Sequence, residues 1–157
     1  MSNQVSVHCE IAAPPEQVWA MVADVTRMGE WSPETEAATW LGTATGPKPG
    51  ARFRGTNRNG KKKWTTVATI IEAEHGRLLS FSVMAKGFRV AEWRYSFEPT
   101  PAGCQVTETW TDRRGAIATA LGKPVSGVAD RAAHNRTGME RTLERIKTAA
   151  ESSAPAD

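Results

Sequence analysis

Cysteine, tyrosine and histidine are all scarce in this chain: two Cys, one Tyr and three His among 157 residues. The N-terminus shows no positive n-region followed by an apolar h-region, so the expectation is a cytoplasmic chain. There Cys9 and Cys104 are expected to stay free rather than bridged. No apolar run approaches the roughly 20 residues that cross a bilayer. His8, His75 and His134 are scattered, and no Cys/His cluster has metal-ligand spacing, so neither a metal nor another cofactor is expected. Gly-rich phosphate loops, Walker patterns and the G-x-S-x-G elbow are absent, which removes the usual signatures of nucleotide binding and serine hydrolysis. A net charge of +3 is too weak a bias to imply nucleic acid. There are no internal repeats and no linker.

What is plentiful is tryptophan. Six Trp and four Phe point to extensive apolar contact, either within the core or with a ligand. Apolar content of 39% and charge of 24% are ordinary for a globular chain. One domain over residues 1–151 is expected, with a disordered tail from Ser152 to Asp157.

The most ordered pattern lies near the C-terminus, where Pro124 to Glu151 reads as one long amphipathic helix. At about 100° per residue, Val128, Ala132, Met139, Leu143, Ile146 and Ala150 fall within an arc of about 60°. Asn135 borders the same arc, about 20° from Val128. An amide centred on an apolar stripe is either satisfied locally or faces a cavity, and the sequence leaves both open.

Upstream, Val5, Val7, Cys9 and Ile11 alternate with polar residues as a half-buried strand. Pro14-Pro15 then suits a helix start, with Glu16 near its positive end, and Val18 to Val22 form a short apolar-sided helix. A second short helical piece covers Val25 to Glu30 and stops before Pro33. Strands follow at Thr35 to Leu41, Ala51 to Arg58, Lys62 to Glu74, Leu78 to Ala85, Phe88 to Glu98 and Cys104 to Asp112. Asn59-Gly60 reads as a type I′ hairpin turn. The long Lys62 to Glu74 strand is expected to bend or bulge. Strands linked by such short turns imply an antiparallel meander.

The last hairpin allows a register estimate. With its turn near Pro101, partner positions sum to about 203. Trp93 then faces Trp110, Tyr95 faces Glu108 and Phe97 faces Val106, all on one face. Arg94, Ser96, Thr107, Thr109 and Thr111 occupy the other. The inward face is thus aromatic, with a phenol and a carboxyl in its middle.

Pro14-Pro15-Glu16-Gln17-Val18-Trp19 follows the first strand, and Trp31-Ser32-Pro33 closes the second helical piece. Trp93 to Pro99, Val106 to Trp110 and Gly138-Met139 through Lys147 complete the series. In this order the chain resembles the START-like or Bet v 1-like (SRPBCC) superfamily, in its bacterial polyketide cyclase/dehydrase and lipid transport branch, over essentially residues 4 to 150. The resemblance implies an α+β helix-grip fold: a curved seven-stranded antiparallel sheet wrapped around a long C-terminal helix, with two short helices after strand one. It also implies a cavity between sheet and helix for apolar or aromatic small molecules. By position, Trp31 would sit near the cavity mouth. Trp93, Tyr95 and Trp110 would line the sheet wall, and Asn135, Met139 and Leu143 the helix wall. Phe53 and Phe81 complete the candidate ligand-binding set.

Three functions follow from these readings. The first is binding of a hydrophobic small molecule such as a lipid, polyketide or aromatic metabolite. The second is an aromatase/cyclase-type enzyme in which Glu108 and Tyr95 supply acid–base help, since an apolar pocket raises a carboxyl's pKa. The bland alternative is that Glu108, paired with Tyr95 or a nearby Arg, merely satisfies a polar spot in the sheet. The third is an interaction module. Arg52, Arg54, Arg58, Lys61, Lys62 and Lys63 form a basic run without an acid, read either as a solvated hairpin or as a weak contact for an anionic surface. Aromatic residues are not interleaved on that face, which argues against nucleic acid. Monomer and dimer both remain open.

Overall fold

In the computed structural model, residues 4–153 are described, the side chains of 121–123 and 153 apart. The first strand, β1 (Gln4–Ile11), buries Val5, Val7 and Ile11, half-buries Cys9 against the core and exposes Ser6, His8 and Glu10. Pro15 opens α1 (Pro15–Ala23), whose missing N–H would be unpaired in any first turn. Val18, Met21 and Val22 of α1 are buried. A 3₁₀ turn at Val25–Arg27 follows, and the Asp24 carboxylate accepts from Thr26 N–H at 3.1 Å. The second short helix, α2 (Met28–Trp31), ends at extended Ser32, as a residue before proline prefers.

The strands are β2 (Thr35–Trp40), β3 (Arg52–Asn59), β4 (Lys62–Glu74), β5 (Leu78–Ala85), β6 (Phe88–Pro99) and β7 (Cys104–Asp112). They make one antiparallel sheet in the order β1-β7-β6-β5-β4-β3-β2. Short turns dictate that order: each hairpin pairs with its predecessor, and β1 joins the free edge of β7. The last hairpin has the expected register, Trp93 opposite Trp110, Tyr95 opposite Glu108 and Phe97 opposite Val106. The long strand β4 does carry an irregularity, at Ile70/Glu72, and β5 against β6 another at Val83/Met84. Such bulges raise the local twist and help the sheet curl.

One turn differs from the sequence reading. Asn59 pairs with Lys62, so the two loop residues between β3 and β4 are Gly60 and Lys61, not Asn59 and Gly60. Gly60 has φ +60° and Lys61 has no positive φ, so the I′ pattern of two positive values is not met. That pattern occurs instead at Lys86-Gly87 (φ +51° and +80°), between paired Ala85 and Phe88.

The helical segment also differs. Pro124 lies inside α3 (Ala116–Ser126), and a separate α4 (Arg131–Ser153) begins after a break. Gly127 adopts φ +75°, the left-handed geometry that ends helices and that glycine takes without strain. Asp130 then caps α4, its carboxylate accepting from Ala133 N–H at 3.1 Å. From there α4 runs unbroken through Gly138. Asn135, Met139, Thr142, Leu143, Ile146 and Ala150 are buried, whereas Ala132 is exposed and Val128 is buried in the turn before the helix. Ser152 and Ser153 belong to α4, and 154–157 lie outside the described residues.

The curved sheet grips α4, giving the α+β helix-grip arrangement. Lys147 Nζ donates to Glu10 O at 3.1 Å and Gln17 Nε2 to Ala150 O at 3.2 Å, tying α4 to β1 and α1. Arg145 Nη1 donates to Trp31 O at 3.3 Å, tying α4 to α2. Arg52, Arg54, Arg58 and Lys61 to Lys63 are exposed. Among the described residues no helix is long and apolar enough to cross a membrane.

Candidate functional site

At its C-terminal end α4 packs directly on β1, but along its first turns it stands away from the sheet. A cavity of about 240 Å³ lies between them, bounded also by α2 and α3. Its sheet wall carries Phe53, Phe81, Trp93, Tyr95, Glu108 and Trp110, and its helix wall carries Asn135 and Met139. These side chains share a face because inward positions alternate along each strand and neighbouring strands are in register. Phe53 meets Phe81 edge-to-face at 5.2 Å, and Trp40 meets Phe53 at 5.7 Å.

Two placements depart from expectation. Leu143 is 2% exposed and packs in the core, off the cavity wall. It lies on the far flank of the buried stripe, about 40° around the axis from Met139, whereas Thr142 and Ile146, on either side of it in sequence, still line the cavity. Trp31 lines the cavity but is 5% exposed, so it belongs to the interior rather than the mouth. The lining residues that reach the outside are Pro33, Thr65, Lys86 and Phe88.

Glu108 is strongly perturbed. Tyr95 Oη donates to its Oε2 at 2.7 Å, while Oε1 is buried with no hydrogen-bond partner. Burial drives the carboxyl up to about 8, and the tyrosine hydrogen bond offsets only part of that. Burial, and then the nearby carboxyl, push the Tyr95 phenol well above its usual range. At neutral pH Glu108 is therefore an uncharged acid, and no Arg pairs with it. The Nε1 of Trp31 is likewise buried without a partner.

Asn135 answers the question its position posed in both ways. Its Oδ1 accepts from Arg131 Nη1 at 3.3 Å, and the residue also lines the cavity. Arg131 belongs to a cluster that sequence reasoning missed. Its Nη1 donates to both Glu34 carboxylate oxygens, at 3.0 and 2.9 Å, and its guanidinium lies 5.8 Å from the Trp64 ring centroid. His134 Nε2 is 2.9 Å from Glu34 Oε2. So His134, which the helical pattern put on a polar face, joins Glu34 and Arg131 where α4 meets the start of β2. The one available signal was the spacing of Arg131, His134 and Asn135 on a single helical side. On the other flank Arg114 pairs with Asp112 at 2.9 Å. No group of three or more His, Cys, Asp or Glu among the described residues could hold a metal ion.

Comparison with known proteins bears on this arrangement. Residues 2–151 match the family model described as polyketide cyclase / dehydrase and lipid transport. The solution structure of a polyketide cyclase-like protein from Corynebacterium glutamicum is 34% identical, with a TM-score of 0.64, covering 96% of this chain and 93% of that one. A Chromobacterium violaceum protein is similar in fold at 14% identity and a TM-score of 0.70, with 95% and 98% covered. The di-domain aromatase/cyclase StfQ of the steffimycin biosynthetic pathway gives a TM-score of 0.73 at 14% identity, covering 96% of this chain and 51% of that protein. No curated protein sequence matches the chain.

Proposed function

Because the chain belongs to the polyketide cyclase / dehydrase and lipid transport family, we propose that it binds a hydrophobic small molecule in the cavity between the sheet and α4. The observation that carries this reading is the unfilled interior itself. Well-packed cores leave few voids larger than a water, yet here large rings from β3, β5, β6 and β7 stand around an open space. Apolar walls with a few converging polar groups are what small-molecule sites have in common. Titration with an uncharged apolar fluorophore such as phenylnaphthylamine tests it. Tryptophan emission should be quenched through Trp93 and Trp110, and the melting temperature should rise with ligand concentration. No binding across a broad panel of lipids and aromatic compounds would overturn it.

A second reading has one specific observation in its favour. Glu108 is a buried acid held protonated at neutral pH, beside a phenol, on the wall of the same cavity. Such an acid can donate a proton to a carbonyl oxygen during a cyclisation or dehydration. A Glu108→Gln variant should then lose turnover of a poly-ketone substrate while retaining affinity for it. Full activity in that variant would rule this reading out.

A further inference from the structure

The two ends of the sheet carry opposite charge, and one of them also exposes large apolar side chains. In an antiparallel meander, alternate turns lie at the same end. The β3–β4 and β5–β6 turns therefore share one end with the close of β7. Two hydrogen bonds hold α3 there: Arg113 N–H donates to Val90 O at 3.0 Å just before it, and Asn59 Nδ2 donates to Ser126 O at 2.8 Å where it stops. The opposite end holds the close of β1, the start of α1 and the β6–β7 turn. Glu10, Glu16 and Glu98 stand exposed there without an ion pair among the described residues.

At the α3 end the balance is reversed. No acid occurs between Glu36 and Glu72, nor from Arg113 to Ala129. The acids that do reach this end are engaged: Glu34 by Arg131 and His134, Glu92 by Arg89 and Arg113, and Asp112 by Arg114, while Asp130 caps α4. Lys61, Lys62 and Lys63 at the first turn, and Lys86 in the second, are exposed and make no ion pair among the described residues. Between the turns, Ile117 of α3 is 64% exposed and Phe88 38%. Ala116, Ala120 and Pro124 are exposed within about 100° of Ile117 around the helix.

We infer that this end, α3 with the two lysine-bearing turns, docks on the surface of an anionic lipid bilayer. Ile117 and Phe88 enter the headgroup layer, and the lysines meet the lipid phosphates. The residue types favour a bilayer over an acidic protein. A lysine stem lies along apolar surface while its ammonium stays at phosphate level. Arginine, which suits fixed bidentate pairing with a protein carboxylate, is absent from both turn tips. The acidic opposite end is repelled by the same surface, so the molecule arrives oriented. This inference stands apart from ligand binding, whose titration uses no vesicles.

Cosedimentation of the whole protein with vesicles of phosphatidylglycerol and phosphatidylcholine in equal parts tests it. Binding should be at least about tenfold stronger than to phosphatidylcholine alone, and should be lost in high salt. Lys61→Gln with Lys63→Gln should weaken it about tenfold or more, and Ile117→Ser about tenfold. Arg52→Gln with Arg54→Gln removes the same charge from β3. At about 3.3 Å per residue, Arg54 stands roughly 17 Å along the strand from Asn59, beyond the Debye length of about 10 Å at 0.1 M salt, so this pair should cost about twofold at most. All these side chains are exposed, so near-ultraviolet circular dichroism of the tryptophans should be the same in every variant. Absence of binding to the anionic vesicles would overturn the inference. Equal losses in the lysine and arginine pairs would overturn it too, since the attraction would then have no orientation. So would undiminished binding by Ile117→Ser, which would take α3 out of the interface. Soluble polyglutamate that displaces the vesicles and binds Ile117→Ser as tightly as the unmodified protein would assign the surface to an acidic protein instead.

Discussion

The Tyr95 hydroxyl lies 2.7 Å from Glu108 Oε2 across adjacent strands, and among the described residues no guanidinium or ammonium completes the pair. An ionised carboxylate there would rest on a single neutral hydrogen bond inside an apolar wall. The pair is stable only while Glu108 keeps its proton.

The first prediction follows from that protonation. The folded pKa, about 8, is raised above the ordinary 4.5. Below the ordinary value both folded and unfolded chains hold the proton, and the contribution to stability is fully present. Between the two values the folded state holds one more proton than the unfolded state, so stability falls as pH rises, by up to ~1.4 kcal/mol per pH unit. Urea denaturation from about pH 5 to about pH 8 should show this decline. Glu108→Gln, which cannot ionise, should flatten it. Parallel profiles for the two proteins would show that Glu108 is already ionised in the fold.

Removing the phenol hydroxyl with Tyr95→Phe should cost about 1–3 kcal/mol, because it strips the carboxyl of its only hydrogen bond among the described residues. That bond draws the Glu108 pKa down, so its loss should also extend the declining limb of the pH profile to higher pH, its onset staying at the ordinary carboxyl value. Denaturation of Tyr95→Phe across the same pH range measures both effects.

Parts of this geometry were legible in the sequence and parts were not, for identifiable reasons. Trp93, Tyr95 and Phe97 meet Trp110, Glu108 and Val106 as expected because a short turn pins register and strand side chains alternate. The break at Gly127 was hidden because Val128 falls on the apolar stripe of a continuous helix, yet it is buried in the turn instead. The stripe also could not separate Met139 from Leu143. They differ by about 40° around the axis, so both read as buried, but the cavity lies on the side of Asn135, Thr142 and Ile146, which Met139 shares and Leu143 does not. The Glu34–Arg131 ion pair joins residues 97 positions apart, and pairings at that range leave no periodic trace.

The distinction between Met139 and Leu143 is itself testable. Leu143→Ala should cost about 2–5 kcal/mol of stability through lost burial and a new void. Affinity for an apolar probe should stay close to that of the unmodified protein. Met139→Ala should enlarge the ligand cavity, shifting affinity and the preferred probe size. Thermal denaturation together with probe titration of both variants separates the two roles. An equal change in affinity for both would place Leu143 at the site after all.

The cluster where α4 meets β2 supplies the last prediction. Arg131 and Glu34 retain side-chain exposures of only 14% and 23%, so their pairing is partly desolvated. It joins the first turn of α4 to the segment after α2, and it also holds Asn135 through Oδ1. Arg131→Met and Glu34→Gln should each lower stability by about 1 kcal/mol, and the double variant should cost less than their sum because the two share one interaction. The Arg131 change carries a further consequence that the Glu34 change does not. It frees Asn135 Oδ1, which becomes an additional acceptor on the cavity wall. Hydroxylated probes should therefore gain affinity in Arg131→Met relative to ketones, and should not gain it in Glu34→Gln. Stopped-flow release of a bound probe supplies the remaining measurement: both variants should release it faster if the ion pair holds the wall of the cavity closed. Unchanged release rates would confine the pair to a stabilising role.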